Sequence, residues 1–179
     1  MTFRWMAALV LTGLAMTAQA EETDLIDDTE QPWVEVKAAL PPFPDKPDWV
    51  RFTVTSGTTN QFFIDVGSLH VTSDGVVRYT LKVLSENGAV NITREGMRCA
   101  SHEQKLYAIG DDRTRTWREP RNPSWQFFRK WAINRQLNVL YDDFFCPDRI
   151  AVRKVSDAVE ALRRDRPIES LLSGSHKSD

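Results

Sequence analysis

Phe62-Phe63-Ile64-Asp65-Val66-Gly67-Ser68-Leu69-His70-Val71 and, after Ser73-Asp74-Gly75, Val76-Val77-Arg78-Tyr79-Thr80-Leu81-Lys82-Val83 decide the fold. Phe62, Ile64 and Val66 recur with the period of two that marks a half-buried strand. The parity changes at Gly67-Ser68 before Leu69 and Val71, which predicts a bulge. Ser73-Asp74-Gly75 reads as a turn. The next strand then shows Val77, Tyr79, Leu81 and Val83 on one face, with Arg78 and Lys82 on the other. Upstream, Val50, Phe52 and Val54 alternate with Arg51, Thr53 and Thr55. Downstream, Glu86-Asn87-Gly88 carries the Asn-Gly hairpin signal, and Ala89 to Glu95 returns with Val90 and Ile92. A short strand over Leu106 to Ile109 ends at Gly110-Asp111-Asp112. Consecutive strands joined by tight turns predict an antiparallel meander from Val50 to about Ile109.

The last third changes character. Asn122-Pro123 reads as an N-cap followed by proline at the first helical position, opening a helix from Ser124 to about Arg135. Trp125, Phe127, Phe128, Trp131 and Ile133 spread around that helix, so it is expected to be well buried, with Leu137 to Tyr141 open to a strand reading. Val152, Val155, Val159 and Leu162 follow helical spacing and predict a second helix stopped by Pro167. Arg163, Arg164 and Arg166 near its end suit the helix dipole. The fold class is α+β: one domain, an antiparallel sheet with C-terminal helices on one face.

Ahead of the domain, Arg4, the apolar run Met6 to Met16 and Ala18-Gln19-Ala20 make a signal-peptide pattern over residues 1–20, with cleavage expected before Glu21. The run is shorter than the roughly 20 residues a membrane-spanning helix needs. No cysteine adjoins the cleavage point, so a lipid-bearing mature N-terminus is not expected. Residues 21–32 hold six acidic side chains between Glu21 and Glu30 and read as a mobile acidic leader. Leu40-Pro41-Pro42-Phe43-Pro44, with Pro47, cannot form a regular helix. That extended segment is expected to lie along the body of the domain together with Trp33 and Trp49. The domain is expected over 33–172, and 173–179 is a polar tail.

The chain has 179 residues, 41% of them hydrophobic and 27% charged, a composition that excludes collagen-like, coiled-coil and grossly disordered classes. Its net charge of −2 gives no electrostatic support to nucleic-acid binding. The two cysteines, Cys99 and Cys146, would pair in the oxidising compartment that export implies. Closing that loop contributes about 4 kcal/mol in the chain-entropy account. The competing reading is a reactive Cys99 three residues before His102.

Phe63-Ile64-Asp65-Val66-Gly67-Ser68-Leu69, Asp74-Gly75-Val76-Val77-Arg78-Tyr79-Thr80, Asn87-Gly88-Ala89-Val90-Asn91 and Arg94-Glu95-Gly96-Met97-Arg98-Cys99 together resemble the cryptic neisserial protein family. The likeness runs from about Trp33 through Tyr107-Ala108-Ile109-Gly110 and Trp125 to Phe145-Cys146. It implies a small exported envelope protein of Gram-negative bacteria, periplasmic or outer-membrane-associated. It supplies no activity.

The candidates for chemistry are few. His70, His102 and His176 are widely spaced, and a zinc site needs three or four convergent ligands. Asp111-Asp112 and Asp142-Asp143 fall outside any EF-hand pattern. No phosphate loop, dinucleotide fingerprint or nucleophile elbow occurs, so no metal or cofactor is expected. The polar set is Arg78, Arg94, Glu95 and Arg98, with Asp65 on the neighbouring strand. Arginine forks recognise carboxylates and phosphates bidentately, whereas Arg78 paired with Asp65 or Glu95 across strands would be purely structural. Trp117, flanked by Arg115, Arg118 and Arg121, reads as an exposed loop aromatic. The resulting expectation is a noncatalytic periplasmic interaction module. It would contact an envelope protein or anionic envelope component through Arg78, Arg94, Glu95, Arg98 and Trp117. The alternative is a glycan hydrolase using two of Asp65, Glu95 and Asp143, since that chemistry needs only two carboxylates at suitable separation.

Overall fold

Among the described residues, seven strands follow one another with antiparallel pairing, the arrangement that short turns between half-buried strands impose. They are β1 (Trp49–Phe52), β2 (Gln61–Val71), β3 (Val76–Leu84), β4 (Val90–Arg98), β5 (Glu103–Asp111), β6 (Thr116–Arg118) and β7 (Gln126–Phe127). The computed structural model describes residues 32–55, 57–129 and 134–172. The expected signal segment 1–20, the leader up to residue 31, Trp131 and the tail 173–179 lie outside the described residues.

Spatial order equals sequence order from β1 to β6, and β7 pairs with β5 at Glu103↔Phe127 and Gln104↔Gln126. The β2–β3 register shifts between Asp65 and His70, where the parity change in the sequence falls. The shift returns Leu69 and Val71 to the side occupied by Phe62, Ile64 and Val66. A second shift, between Arg94 and Glu95 in the β4–β5 ladder, places Tyr107 at a bulge.

The two faces of the sheet carry different covers. On the helix face, Phe52, Ile64, Tyr79, Leu81 and Met97 are buried against Leu140, Phe144, Phe145, Ala158, Ala161 and Leu162. Rings meet there directly: Phe52 and Phe144 at 6.0 Å between centroids, Tyr79 and Phe145 at 5.1 Å. The helical layer consists of α1 (Arg135–Val139), a π-helical turn (Leu140–Phe145), a 3-10 turn (Pro147–Arg149), α2 (Val155–Arg164) and α3 (Ile168–Leu172). Cys146 N–H donates to Tyr141 O at 3.0 Å, the five-residue closure of a π turn. α2 stops at Asp165, which takes a left-handed φ of 48° and accepts Thr53 N–H at 2.9 Å. Cys99, just past β4, is bonded to Cys146, just past the π turn, with Cα atoms 5.4 Å apart.

The helix expected from Ser124 to about Arg135 does not form over its described part. Instead Trp125 and Phe128 lie on opposite sides of the β7 edge segment. Trp125 meets Trp33 and Tyr107 on one face, and Phe128 packs against His102 and Tyr141 on the other. Trp125 and Phe128, read as part of a buried helix, thus flank a short strand and serve its two faces, and pairing with β5 overrides helix propensity. Helix begins at Arg135, and Leu137 to Tyr141, open to a strand reading, is helical. Strand β6, containing Trp117, was not foreseen. β5 is longer than the Leu106–Ile109 core of the expectation because Lys105 and Glu103 interrupt its apolar pattern.

Candidate functional site

The second face of the sheet presents Arg78, Thr80, Arg94, Arg98, Lys105 and Tyr107. Across it runs the proline-rich segment 33–44, here called the strap, in extended conformation. Proline forbids a helix there, and alternate strap residues therefore point to the sheet. The site is the clasp that holds this strap.

Its first part is the turn before β3. Arg78 donates from Nη2 to Asp74 Oδ2 at 3.0 Å, from Nη1 to Asp74 Oδ1 at 3.2 Å, and from Nη1 to Thr72 Oγ1. The same pair brackets the strap backbone. Val36 N–H donates to Asp74 Oδ2 at 2.8 Å, and Arg78 Nη2 donates to Val36 O at 3.0 Å. Two side chains thereby supply the bonds that a neighbouring strand would. Burial pushes the Asp74 carboxyl up, but the bonds from Thr72, Val36, Arg78 and Val76 outweigh it and leave the group below its ordinary value.

The second part is a carboxylate receptor occupied by Glu35. Lys105 Nζ donates to Oε2 at 2.7 Å, Tyr107 OH to Oε1 at 2.7 Å and Trp125 Nε1 to Oε2 at 3.1 Å, with Arg78 Nη2 at 3.8 Å from Oε1. Burial again raises this carboxyl, and the bonds from Lys105, Tyr107 and Trp125 bring it below the usual value. Beside it, Trp33 donates from Nε1 to Asp74 O at 2.8 Å and lies under the Arg98 guanidinium, 4.0 Å from ring centroid to Cζ. Arg98 also pairs with Glu103 at 3.3 Å.

The far end of the strap is held by β6. Trp117 Nε1 donates to Pro41 O at 2.9 Å, the tilted Phe43 ring packs on Trp117 with centroids 4.9 Å apart, and Arg115 bonds Pro44 O. The sequence placed Trp117 in an exposed loop; it is a half-buried strand residue committed to the strap. Arg94 sits deeper, 2% exposed, donating to Ser68 O at 3.0 Å, Thr80 Oγ1 at 3.4 Å and His70 Nδ1 at 3.2 Å.

Of the five residues singled out by sequence, Arg78, Arg94, Arg98 and Trp117 share the strap face. Glu95 does not. It pairs across β3–β4 with Tyr79, so both face the helices, where Tyr79 OH donates to Glu95 Oε2 at 3.0 Å and Thr93 Oγ1 to Oε1 at 2.7 Å. Burial there pushes the Glu95 carboxyl up. Asp65 is buried on the strap side, its Oδ1 accepting Asp48 N–H at 2.9 Å and Gly67 N–H at 3.2 Å, and it makes no ion pair with Arg78. Asp65 and Glu95 thus lie on opposite faces of the sheet, and Asp143 belongs to the π turn of the helical layer. Among the described residues no group of three His, Cys, Asp or Glu side chains converges as metal ligands. Sequence reasoning missed Glu35, Asp74, Lys105, Tyr107 and Trp125. The available signal was the Trp33-x-Glu35 alternation ahead of a proline run, which only an extended segment with one face inward satisfies.

Of the residues quoted for the family likeness, Asp74, Arg78, Arg98 and Tyr107 build this clasp, and Gly96 lies against the Tyr107 ring. The CNP1-like family model matches residues 28–163. The chain belongs to the CNP1-like family. A relative of this CNP1-like chain, Cryptic neisserial protein 1 of Neisseria gonorrhoeae (strain ATCC 700825 / FA 1090), is 32% identical over 106 residues. That stretch covers 51% of this chain and 52% of the relative, so the match spans about half of the relative's length. No solved structure matches. Among its described residues the CNP1-like chain has no helix long and apolar enough to cross a membrane.

Proposed function

We propose that this chain is a noncatalytic interaction module of the Gram-negative cell envelope, exported to the periplasm by the signal over residues 1–20. Its partner is an envelope protein, and the contact surface is the outer side of the strap. The observation that carries this reading is a row of apolar side chains at alternate strap positions: Val34 is 77% exposed, Val36 39% and Leu40 41%. The clasp fixes the inward residues Trp33 and Glu35, so the outward ones are held in one extended register before any partner arrives. Preorganisation of that kind lowers the entropy cost of binding, and burying Val34 alone is worth about 1.5 kcal/mol. The arginines support a protein partner over an anionic glycan, because Arg78 and Arg98 already hold Asp74, Val36, Trp33 and Glu103.

The test is photo-crosslinking in periplasm from probes placed at Val34 and Leu40, with a probe at Glu160 on the solvent side of α2 as reference. A discrete product from the strap positions, missing at Glu160 and lost with Val36→Asp, is expected. Identical products at all three positions, or none at the strap, would remove the basis for the reading. The expected control Arg78→Ala should also lose the product, because it releases the backbone of Val36.

A further inference from the structure

Arg94 is a buried cation whose described partners are all neutral. Its three acceptors are a backbone carbonyl, a threonine hydroxyl and an imidazole nitrogen. No carboxylate among the described residues lies within ion-pair distance of it, and Asp65 acts on it only through its field. A second guanidinium, Arg78, adds like charge, and its Nε is buried without an acceptor among the described residues. Burial, ahead of the repulsion from Arg78, brings the Arg94 group down to about 10. His70 completes the polarity of the corner. Burial, then the two arginines, holds its imidazole below the ordinary value; Nδ1 lies between Ser68 O at 3.0 Å and Arg94 Nη2 at 3.2 Å, and it accepts from Arg94 in the tautomer that carries the proton on Nε2.

Between these groups and the strap lies a recess of about 20 Å³, lined by His70, Arg78, Arg94 and Tyr107 beneath Ala38 to Pro41. Two of its four polar side chains are guanidiniums, none is a carboxylate, and the Tyr107 hydroxyl proton is committed to Glu35. A recess this narrow suits a particle close to water in size better than a phosphate ester, a glycan or a peptide carboxylate with its stem. A buried charge without a counter-charge is costly, and one monatomic anion supplies it here.

We propose that this recess binds a single small inorganic anion of the halide class, chloride being the abundant member, which neutralises Arg94. The site stands on the Arg94 environment and does not depend on the partner reading above. Bound halide would stiffen the contact between the arginine row and the middle of the strap.

The test uses the whole protein. Replacing sodium gluconate with sodium chloride or bromide at constant ionic strength of about 0.15 M should raise the unfolding midpoint by about 2–4 °C. Arg94→Gln should abolish the difference between the salts. Crystals grown or soaked in bromide should show an anomalous peak in the recess, a readout that holds even if the variant fails to fold. Equal midpoints in gluconate and halide overturn the proposal, and so does a full halide response in a folded Arg94→Gln. A bromide peak without halide-specific stabilisation marks an adventitious ion only and also overturns it.

Discussion

A methyl group added to Gly96 would stand 2.6 Å from Tyr107 Cε2 and 2.9 Å from its hydroxyl oxygen. Tyr107 cannot move aside freely, because that hydroxyl donates to Glu35 and its ring lies 5.4 Å from the Arg78 guanidinium carbon. Gly96→Ala is therefore expected to cost about 1–3 kcal/mol through overpacking and to loosen the strap, read by urea denaturation and by the emission of Trp33 and Trp125. A loss under about 0.5 kcal/mol, the range of an ordinary surface change, would show that the ring is not locked. Gly110 plays the same part for Phe43, whose Cε2 would lie 2.8 Å from an added Cβ. At this scale, parity in the sequence correctly placed Arg78 opposite Tyr79, Leu81 and Val83. Partner choice was not legible. Arg78 pairs with Asp74, four residues earlier in the turn, and not with Asp65 or Glu95 across the strands. A period of two says which face a side chain takes, but it does not say which turn folds back over that face.

Among the elements, the meander was legible because each strand alternates and each turn carries its own chemistry, Asp74-Gly75 and Asn87-Gly88. β7 was not, because a two-residue strand serving both faces leaves no periodicity to distinguish it from a helix. The strap was legible as extended and as lying against the domain, while its clasp was hidden, since Glu35 meets Lys105 and Tyr107 some 70 and 72 residues away in sequence. The clasp has a pH dependence with a definite sign. Glu35 and Asp74 are both held below their ordinary values in the folded state, so their contribution is complete above the unfolded carboxyl range. It is lost as pH falls through the folded values. Below about pH 4 the strap should release ahead of the sheet. Hydrogen exchange at the Val36 amide, bonded to Asp74 Oδ2, reports this directly. Near neutral pH, Glu35→Gln should speed that exchange about tenfold, since hydrogen bonds to a charged group are worth about 1.5 kcal/mol or more. A Val36 amide that stays protected down to the pH at which β3 amides exchange would contradict the assignment.

For the molecule as a whole, the decisive joint is Cys99–Cys146, which ties the end of β4 to the helical layer. The pairing was readable from an even cysteine count and an export pattern, whereas what it joins required the fold. Tyr141 OH donates to Cys99 O at 2.8 Å beside it, and Arg149 Nη2 to Ala100 O at 3.0 Å, so the crosslink is one of several ties at that corner. Elsewhere the layer is held independently. Phe144 and Phe145 pack on the sheet, α2 buries Ala158, Ala161 and Leu162, and Arg163 pairs with Asp48 at 2.5 Å. A protein lacking the bond should therefore still fold, at lower stability. For a loop with a sequence separation of 47 residues, the chain-entropy account gives a loss of about 4 kcal/mol. At this chain length that lowers the unfolding midpoint by about 10 °C. The expected result for Cys99→Ala/Cys146→Ala is a cooperative transition displaced by that amount, with the far-ultraviolet spectrum unchanged. Both residues are nearly inaccessible, 2% and 3% exposed, and thiol exchange needs access to the sulfur. Dithiothreitol should then reduce the native protein no faster than it unfolds, and thiol alkylation should track global unfolding across a urea series. Rapid alkylation in the absence of urea would mean that this corner opens by itself, and the crosslink would then be a movable part of the molecule and not the brace that its burial implies.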